Sequence, residues 1–130
     1  MVQGNRKVMF AFGLVVICII LGALGQISMK NGMNQLNEIE SVKELLDLRT
    51  IIDVISNKYV FSGLVLYAVG AFLWLGALST LEVSFMYPML SLAYVVTALF
   101  ALAFLGESVT LFRWAGIALI VIGCFLIAKS

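Results

Sequence analysis

The run VMFAFGLVVICIILGALGQI, Val8–Ile27, holds 20 residues without one charged side chain. A helix rises about 1.5 Å per residue, so roughly 20 apolar residues reach across the hydrocarbon core of a bilayer. The run is therefore read as a membrane span, and the rest of the chain repeats the pattern. Val60–Leu81, Ser84–Leu105 and Leu111–Ala128 are apolar stretches of similar length, and Arg113, the one charge among them, stands near an end. The expected fold is all-α: an integral membrane protein of four transmembrane helices, forming a single domain over residues 1–130. Composition agrees, since 63% of the residues are hydrophobic and 12% charged, against about 45–50% and 25% in soluble domains. Arg6 and Lys7 before the first run, with Gly22, Ala23 and Gly25 near its end, also fit a signal peptide. The length of the run and the three spans after it favour a retained helix.

The polar residues collect between the first two spans, over Lys30–Tyr59, with five of the seven acids and four of the eight bases. There Ser41-Val-Lys-Glu44 has the form of a capping box that opens a helix. Val42, Leu45, Leu46 and Ile52 recur at helical spacing, with Glu40, Lys43, Glu44 and Asp47 on the other side, and Thr50–Asp53 offers a second short helix. One or two short amphipathic helices at the membrane interface are expected from this pattern. The remaining connections, around Thr80–Val83 and Gly106–Thr110, are short and force neighbouring spans to run antiparallel. The basic residues divide between the two sides too evenly to fix an orientation.

Several function classes drop out at this stage. A net charge of +1 gives no field for nucleic acid, and the chain has no histidine. No nucleophile–base pair and no metal cluster is visible, so neither enzyme activity nor a metal or other cofactor is expected. Cys18 and Cys124 each lie inside an apolar run and are read as buried small hydrophobes, not a disulfide.

Functional readings come instead from the faces of the spans. Gly63, Tyr67, Gly70, Trp74 and Ala77 share one side of the second span, and Tyr87, Ser91, Tyr94 and Ala98 one side of the third. Polar tips in hydrocarbon need partners, so these faces should look into the protein or a wet cavity. For Gly63, Gly70 and Ala98 close helix packing is the plainer reading; for Trp74, Tyr87, Ser91 and Tyr94 packing and cavity lining stand side by side. Pro88 removes a backbone hydrogen bond within the third span, which makes Met86–Ser91 the candidate bend or hinge. On the first span Gly22, Gln26 and Lys30 follow at intervals of four. Lys30 fits an interfacial anchor, or a cation placed for a phosphate or carboxylate at a pocket mouth. Gly116 and Gly123 put small residues on one stripe of the fourth span, a candidate dimer contact.

Taken together, Gly25-Gln26 with Lys30, Leu73-Trp74-Leu75, the run Tyr87-Pro88-Met89-Leu90-Ser91-Leu92, and Gly106-Glu107 with Trp114-Ala-Gly116 resemble the drug/metabolite transporter superfamily, EamA-like proteins included, in its smallest four-helix form. Within it the chain is most similar to the flippase subunits for aminoarabinose-phosphoundecaprenol. The related small multidrug resistance exporters carry an embedded glutamate about two turns before the lysine; the matching position here is Gly22. The resemblance implies a multi-pass protein of the inner (plasma) membrane that flips a polyprenyl-phosphate-linked sugar or aminosugar as a homodimer or with a sister subunit. It implies substrate-binding roles for Gln26, Lys30, Tyr67, Trp74, Tyr87, Ser91, Tyr94 and Glu107, with Lys30 at the phosphate. Tyr67 and Trp74 would stack on sugar or prenyl surfaces, and Glu107 would pair with Arg113 or meet a cationic amino group. Export of small drugs or metabolites, and a non-transporting assembly role, are the alternatives. The long loop after Lys30 departs from the aminoarabinose flippases and leaves the substrate and subunit arrangement open.

Overall fold

The structure, a computed structural model, describes residues 2–130, with side chains from Arg6 onward. Helix α1, Val2–Asn34, is followed by two short helices, α2 (Val42–Leu45) and α3 (Leu48–Ser56), and by α4, Lys58–Leu78. The third span is a composite of α5 (Val83–Met89), α6 (Leu92–Phe100) and a π-helical stretch, Ala101–Leu105; α7, Leu111–Lys129, closes the chain. Four helical segments are long and apolar enough to cross a membrane: Arg6–Asn34, Lys58–Leu78, Val83–Leu105 and Leu111–Lys129.

The first helix continues past the expected end of its span at Ile27, because nothing between Gln26 and Asn34 breaks it. Its 33 residues reach about 50 Å, well beyond the hydrocarbon core of about 30 Å. Lys30, expected at the start of the loop, therefore stands on the helix. The expected interfacial segment is α2 and α3. Ser41 caps α2 by accepting from the Glu44 amide at 3.2 Å, and the Glu44 carboxylate reaches back to the Glu40 amide at 3.0 Å. Asp47 caps α3 by accepting from the Arg49 amide.

Helices α1 and α4 pack against each other along most of their length, and glycine makes the approach possible. A Cβ built on Gly63 would lie 2.5 Å from the Gly25 carbonyl oxygen, and one on Gly25 would lie 2.9 Å from the Gly63 carbonyl. Small residues at such a crossing bring backbones into contact. The seam is held by polar contacts as well: the Cys18 thiol donates to the Gly70 carbonyl at 3.1 Å, and the Ser28 hydroxyl to the Tyr59 carbonyl at 2.7 Å.

Asn57 joins three pieces of chain at the interface. Its side-chain oxygen accepts from the Tyr59 and Val60 amides and so caps α4, while its side-chain nitrogen donates to the Gly32 carbonyl and the Gln35 side chain. An Asn57→Ala variant should lose about 1–2 kcal/mol of stability, the cost of an N-cap. Equilibrium unfolding in mixed detergent, followed by circular dichroism, measures this. An unchanged midpoint would mean that the side chain is not holding α1 to α4.

The core lies toward the other end of the bundle, where Ala11, Val15 and Ile19 of α1 meet Ala77 and the fully buried Met86. Little of the last two spans is fully buried by the chain itself: 6% of the third span and 6% of the fourth are buried, against 33% of the first. Most of the third span is half-buried, whereas most residues of the fourth are exposed and face lipid or another subunit.

The third span departs from regular α geometry twice. After Pro88 the backbone switches to i→i−3 bonds: Leu90 to Tyr87, Ser91 to Pro88, Ala93 to Leu90 and Tyr94 to Ser91, at 2.9–3.1 Å. The helix is interrupted at Leu90 and Ser91. The Pro88 carbonyl also accepts from the Ser91 hydroxyl and, at 3.1 Å, from the Cys124 thiol of α7. Further on, the π-helical stretch ends where Gly106 adopts φ 67°, in the left-handed region that a glycine enters without cost.

Cys18 and Cys124 are both free and buried. They do more than fill space, since each donates its S–H to a backbone carbonyl of a neighbouring helix.

Candidate functional site

A cavity of about 860 Å³ opens between α1, α4, α5 and α6. Helical spacing explains which side chains reach it. On α1, Cys18, Gly22 and Gln26 repeat every fourth residue; on α4, Tyr67 and Trp74 stand two turns apart with Gly70 between them. Tyr87 comes from α5, Ser91 from the interruption, and Tyr94 and Thr97 from α6. Space exists because Gly22, Ala23, Gly70, Ala71 and Ala93 present almost no side chain to it. A Cβ on Gly22 would meet nothing within 4 Å.

No charged residue lines this space, and its wall is mostly apolar. Its polar groups are the Gln26 amide, three phenols, the Trp74 indole and two hydroxyls, besides the Cys18 thiol. Among the described residues, only Ser91 and Cys18 of this set are hydrogen-bonded inside the chain. No buried side-chain nitrogen or oxygen is left without a partner among those residues. Gln26 and the three tyrosines are exposed residues, and the free tips of Trp74 and Thr97 are not sealed away from the surface. An apolar hollow with a few convergent polar groups is the usual form of a small-molecule site. Aromatic faces suit the C–H surface of a sugar or an isoprenoid, and the amide, phenols and hydroxyls suit its hydroxyl groups.

The cavity is open on one side. Tyr67 is 50% exposed, Tyr87 68% and Tyr94 60%, so one chain walls the space without enclosing it.

The structure thus brings Gln26, Tyr67, Trp74, Tyr87, Ser91 and Tyr94 together around one cavity, with Pro88 in its wall. Lys30 and Glu107 stand outside it. Lys30 is exposed on the α1 face that carries Gln26, one turn and about 6 Å further along the helix axis. Glu107 is exposed beyond the π-helical stretch, where its amide donates to the Ala101 carbonyl. The expected pairing of Glu107 with Arg113 is absent among the described contacts. The Arg113 guanidinium turns to the Ser108 carbonyl at 3.5 Å, because the short connection at 106–110 brings that carbonyl back over α7. Gly116 and Gly123 have nothing within 4 Å of an added Cβ, so no part of the chain covers that stripe.

Two polar lining residues escaped the sequence reading. Thr97 is a hydroxyl in an apolar span, three residues beyond Tyr94, and the 3.6-residue period admits it as readily as Ala98. Cys18 falls on the Gly22–Gln26 stripe, but its apolar neighbours disguised it.

Comparison with known proteins supports a relationship over nearly the whole chain. The sequence model of the EamA-like transporter family matches residues 7–129. A probable 4-amino-4-deoxy-L-arabinose-phosphoundecaprenol flippase subunit ArnF from Erwinia tasmaniensis is 36% identical over 122 residues, covering 92% of this chain and 91% of its own. A probable subunit ArnE of the same flippase from Yersinia pseudotuberculosis is 30% identical over 120 residues, covering 92% and 97%. A probable ArnF from Proteus mirabilis is 30% identical over 114 residues, covering 85% and 86%. No solved structure gives a significant match.

Proposed function

Because the chain belongs to the EamA-like transporter family and is a multi-pass membrane protein, we propose that it translocates a polyprenyl-phosphate-linked sugar or aminosugar across the inner membrane. The observation that carries this reading is the open, uncharged cavity in which Gln26, Tyr67, Trp74, Tyr87, Tyr94 and Thr97 present free polar tips on apolar walls. A sugar crossing a bilayer must exchange water for protein hydrogen bonds, and an unpaired hydroxyl in hydrocarbon costs several kcal/mol, about 4–8 on a cyclohexane scale. The cavity offers those bonds without a charge to trap the substrate. Tyr67 and Trp74 stack on the sugar ring or the first isoprene units, while the Ser91 hydroxyl stays bonded to the Pro88 carbonyl in the cavity wall.

In this reading the phosphate stays outside the cavity. Lys30, one turn beyond Gln26, holds it at the mouth as a charge-assisted pair. Glu107, placed by the order of the spans at the same membrane face, meets the cationic amino group of an aminosugar. The exposed phenols and the sparsely covered fourth span leave room for a second four-span unit, a copy or a sister subunit, to complete the path. Gly116 and Gly123 supply part of that contact. Pro88 and the i→i−3 bonds after it form the hinge about which the α5 end of the cavity opens.

A related exporter that exchanges protons for cationic drugs would need an embedded carboxylate. Here that position is Gly22, on the cavity wall, which favours the lipid-linked sugar over drug antiport.

Native mass spectrometry of the protein, extracted gently from its membrane, tests the proposal. The expected result is a complex of two units carrying a polyprenyl-phosphate sugar, lost in a Lys30→Ala variant that still assembles. A complex with bulk phospholipid alone would point to small-molecule export. Retention of the sugar lipid by Lys30→Ala would remove the phosphate role from Lys30.

A further inference from the structure

The segment between α1 and α4 is amphipathic in the opposite sense from a surface helix of a soluble protein. On α3, Leu48, Ile51, Ile52 and Ile55 follow at i, i+3, i+4 and i+7 and form one apolar face. That face turns away from the protein: Leu48 is 70% exposed and Ile52 56%. On the other side Thr50, Asp53 and Val54 border an open cavity of about 460 Å³ that also carries Glu38 and Glu44, and Asp53 stays exposed. On α2 as well, Val42 and Leu45 are exposed. No polar or charged residue is buried here among the described residues, so in water the segment would display an apolar face with nothing to cover it, against what the hydrophobic effect favours.

The position of α3 says what covers the face. A single residue, Asn57, separates α3 from the span α4. The first residues of α4 are Lys58 and Tyr59, with the ammonium 5.2 Å from the ring centre, a pairing of the kind that marks the head-group level of a bilayer. Helix α3 is thus continuous along the chain, through Asn57, with a span whose Phe61, Leu64 and Val65 are exposed apolar residues that lipid covers.

From this continuity we infer that α3 is a membrane-inserted interfacial helix. Leu48, Ile51, Ile52 and Ile55 sink into the acyl boundary, and Thr50 and Asp53 stay on the side of the open cavity. The occupant of the apolar face is the phospholipid surface, not a second protein. The inference does not depend on which substrate is moved.

Spin labels placed one at a time at Arg49, Ile52, Asp53 and Ile55 of the full chain test it, in phosphatidylethanolamine–phosphatidylglycerol vesicles. The background carries Cys18→Ser and Cys124→Ser, which keep a donor at each backbone carbonyl, and circular dichroism secures the helical content of each sample. The oxygen-to-nickel-chelate accessibility ratio should be several-fold higher at Ile52 and Ile55 than at Arg49 and Asp53. Four labels that all favour the nickel chelate would make the segment a solvated linker and overturn the inference. Labels at Ile52 and Ile55 shielded from both agents would place a protein partner there and overturn it equally. As a label-free check, amide exchange over residues 48–56 should be slow in vesicles and accelerate in an Ile52→Asp/Ile55→Asp variant. Equally fast exchange in both proteins would also overturn it.

Discussion

Replacing Gly63 with alanine is expected to break the α1–α4 hairpin. The added carbon would lie 2.5 Å from the Gly25 carbonyl oxygen, 2.5 Å from Met29 Cγ and 2.9 Å from the Met29 amide nitrogen. Met29 can swing its side chain away, but two of those three atoms are backbone. Relief therefore requires the two helices to separate along their common seam. Overpacking costs typically about 1–3 kcal/mol and occasionally more, and a clash with two rigid backbones belongs at the upper end, about 3 kcal/mol. Against that loss alanine returns up to about 1 kcal/mol of helix propensity, so the net sign stays destabilising. Gly70→Ala and Gly13→Ala are the controls. Their nearest neighbours stand 3.7 Å away and beyond 4 Å respectively, and both should unfold at or slightly above the wild-type midpoint. Mixed-detergent unfolding followed by circular dichroism reads all three. A Gly63→Ala protein as stable as the wild type would mean that the backbones are not in contact.

The same seam shows what the sequence could and could not reveal. Apolar runs of about 20 residues, with Arg113 the one charge among them, located the spans because the bilayer imposes their length. The stripe Gly63, Tyr67, Gly70, Trp74, Ala77 already separated into two functions by residue size. Gly63 packs against α1, while Tyr67 and Trp74 reach the cavity. Periodicity gives the face of a helix, but it does not say how far a helix runs or what lies opposite. That is why α1 passes its expected end and carries Lys30 with it, and why Asn57, an ordinary polar residue in a polar region, turns out to tie Gly32 and Gln35 to the start of α4. Glu107 and Arg113 looked like a pair because charge was all that could be read; the turn at 106–110 gives Arg113 a nearer acceptor. Pro88 announced a disturbance in the third span. Its form, a run of i→i−3 bonds with a thiol from α7 on the Pro88 carbonyl, depends on a residue 36 positions away.

Transport should respond most to the one amide in the cavity. In a Gln26→Leu variant the side chain keeps nearly the same volume and loses its donor and acceptor. Among the described residues the Gln26 side chain makes no hydrogen bond, so its removal costs the fold nothing, and an apolar residue in its place suits a wall within the membrane. The variant should therefore unfold at the same midpoint or a higher one. The substrate meets the opposite situation. A sugar hydroxyl that gave up water and finds leucine is left unpaired, at a cost of about 1–3 kcal/mol. Each 1.4 kcal/mol is a factor of ten, so the flipping rate of a polyprenyl-phosphate sugar in proteoliposomes should fall by about fivefold to 140-fold. A Trp74→Phe variant, which keeps the ring and loses the indole N–H, should fall less, since stacking supplies most of its contribution. The diagnostic is the opposition of signs, with stability unchanged or raised and transport lowered. If both fall together, Gln26 has a structural partner that the cavity geometry does not account for. If Gln26→Leu flips the lipid at the wild-type rate, the sugar does not pass along this wall, and the open face toward the partner unit becomes the path.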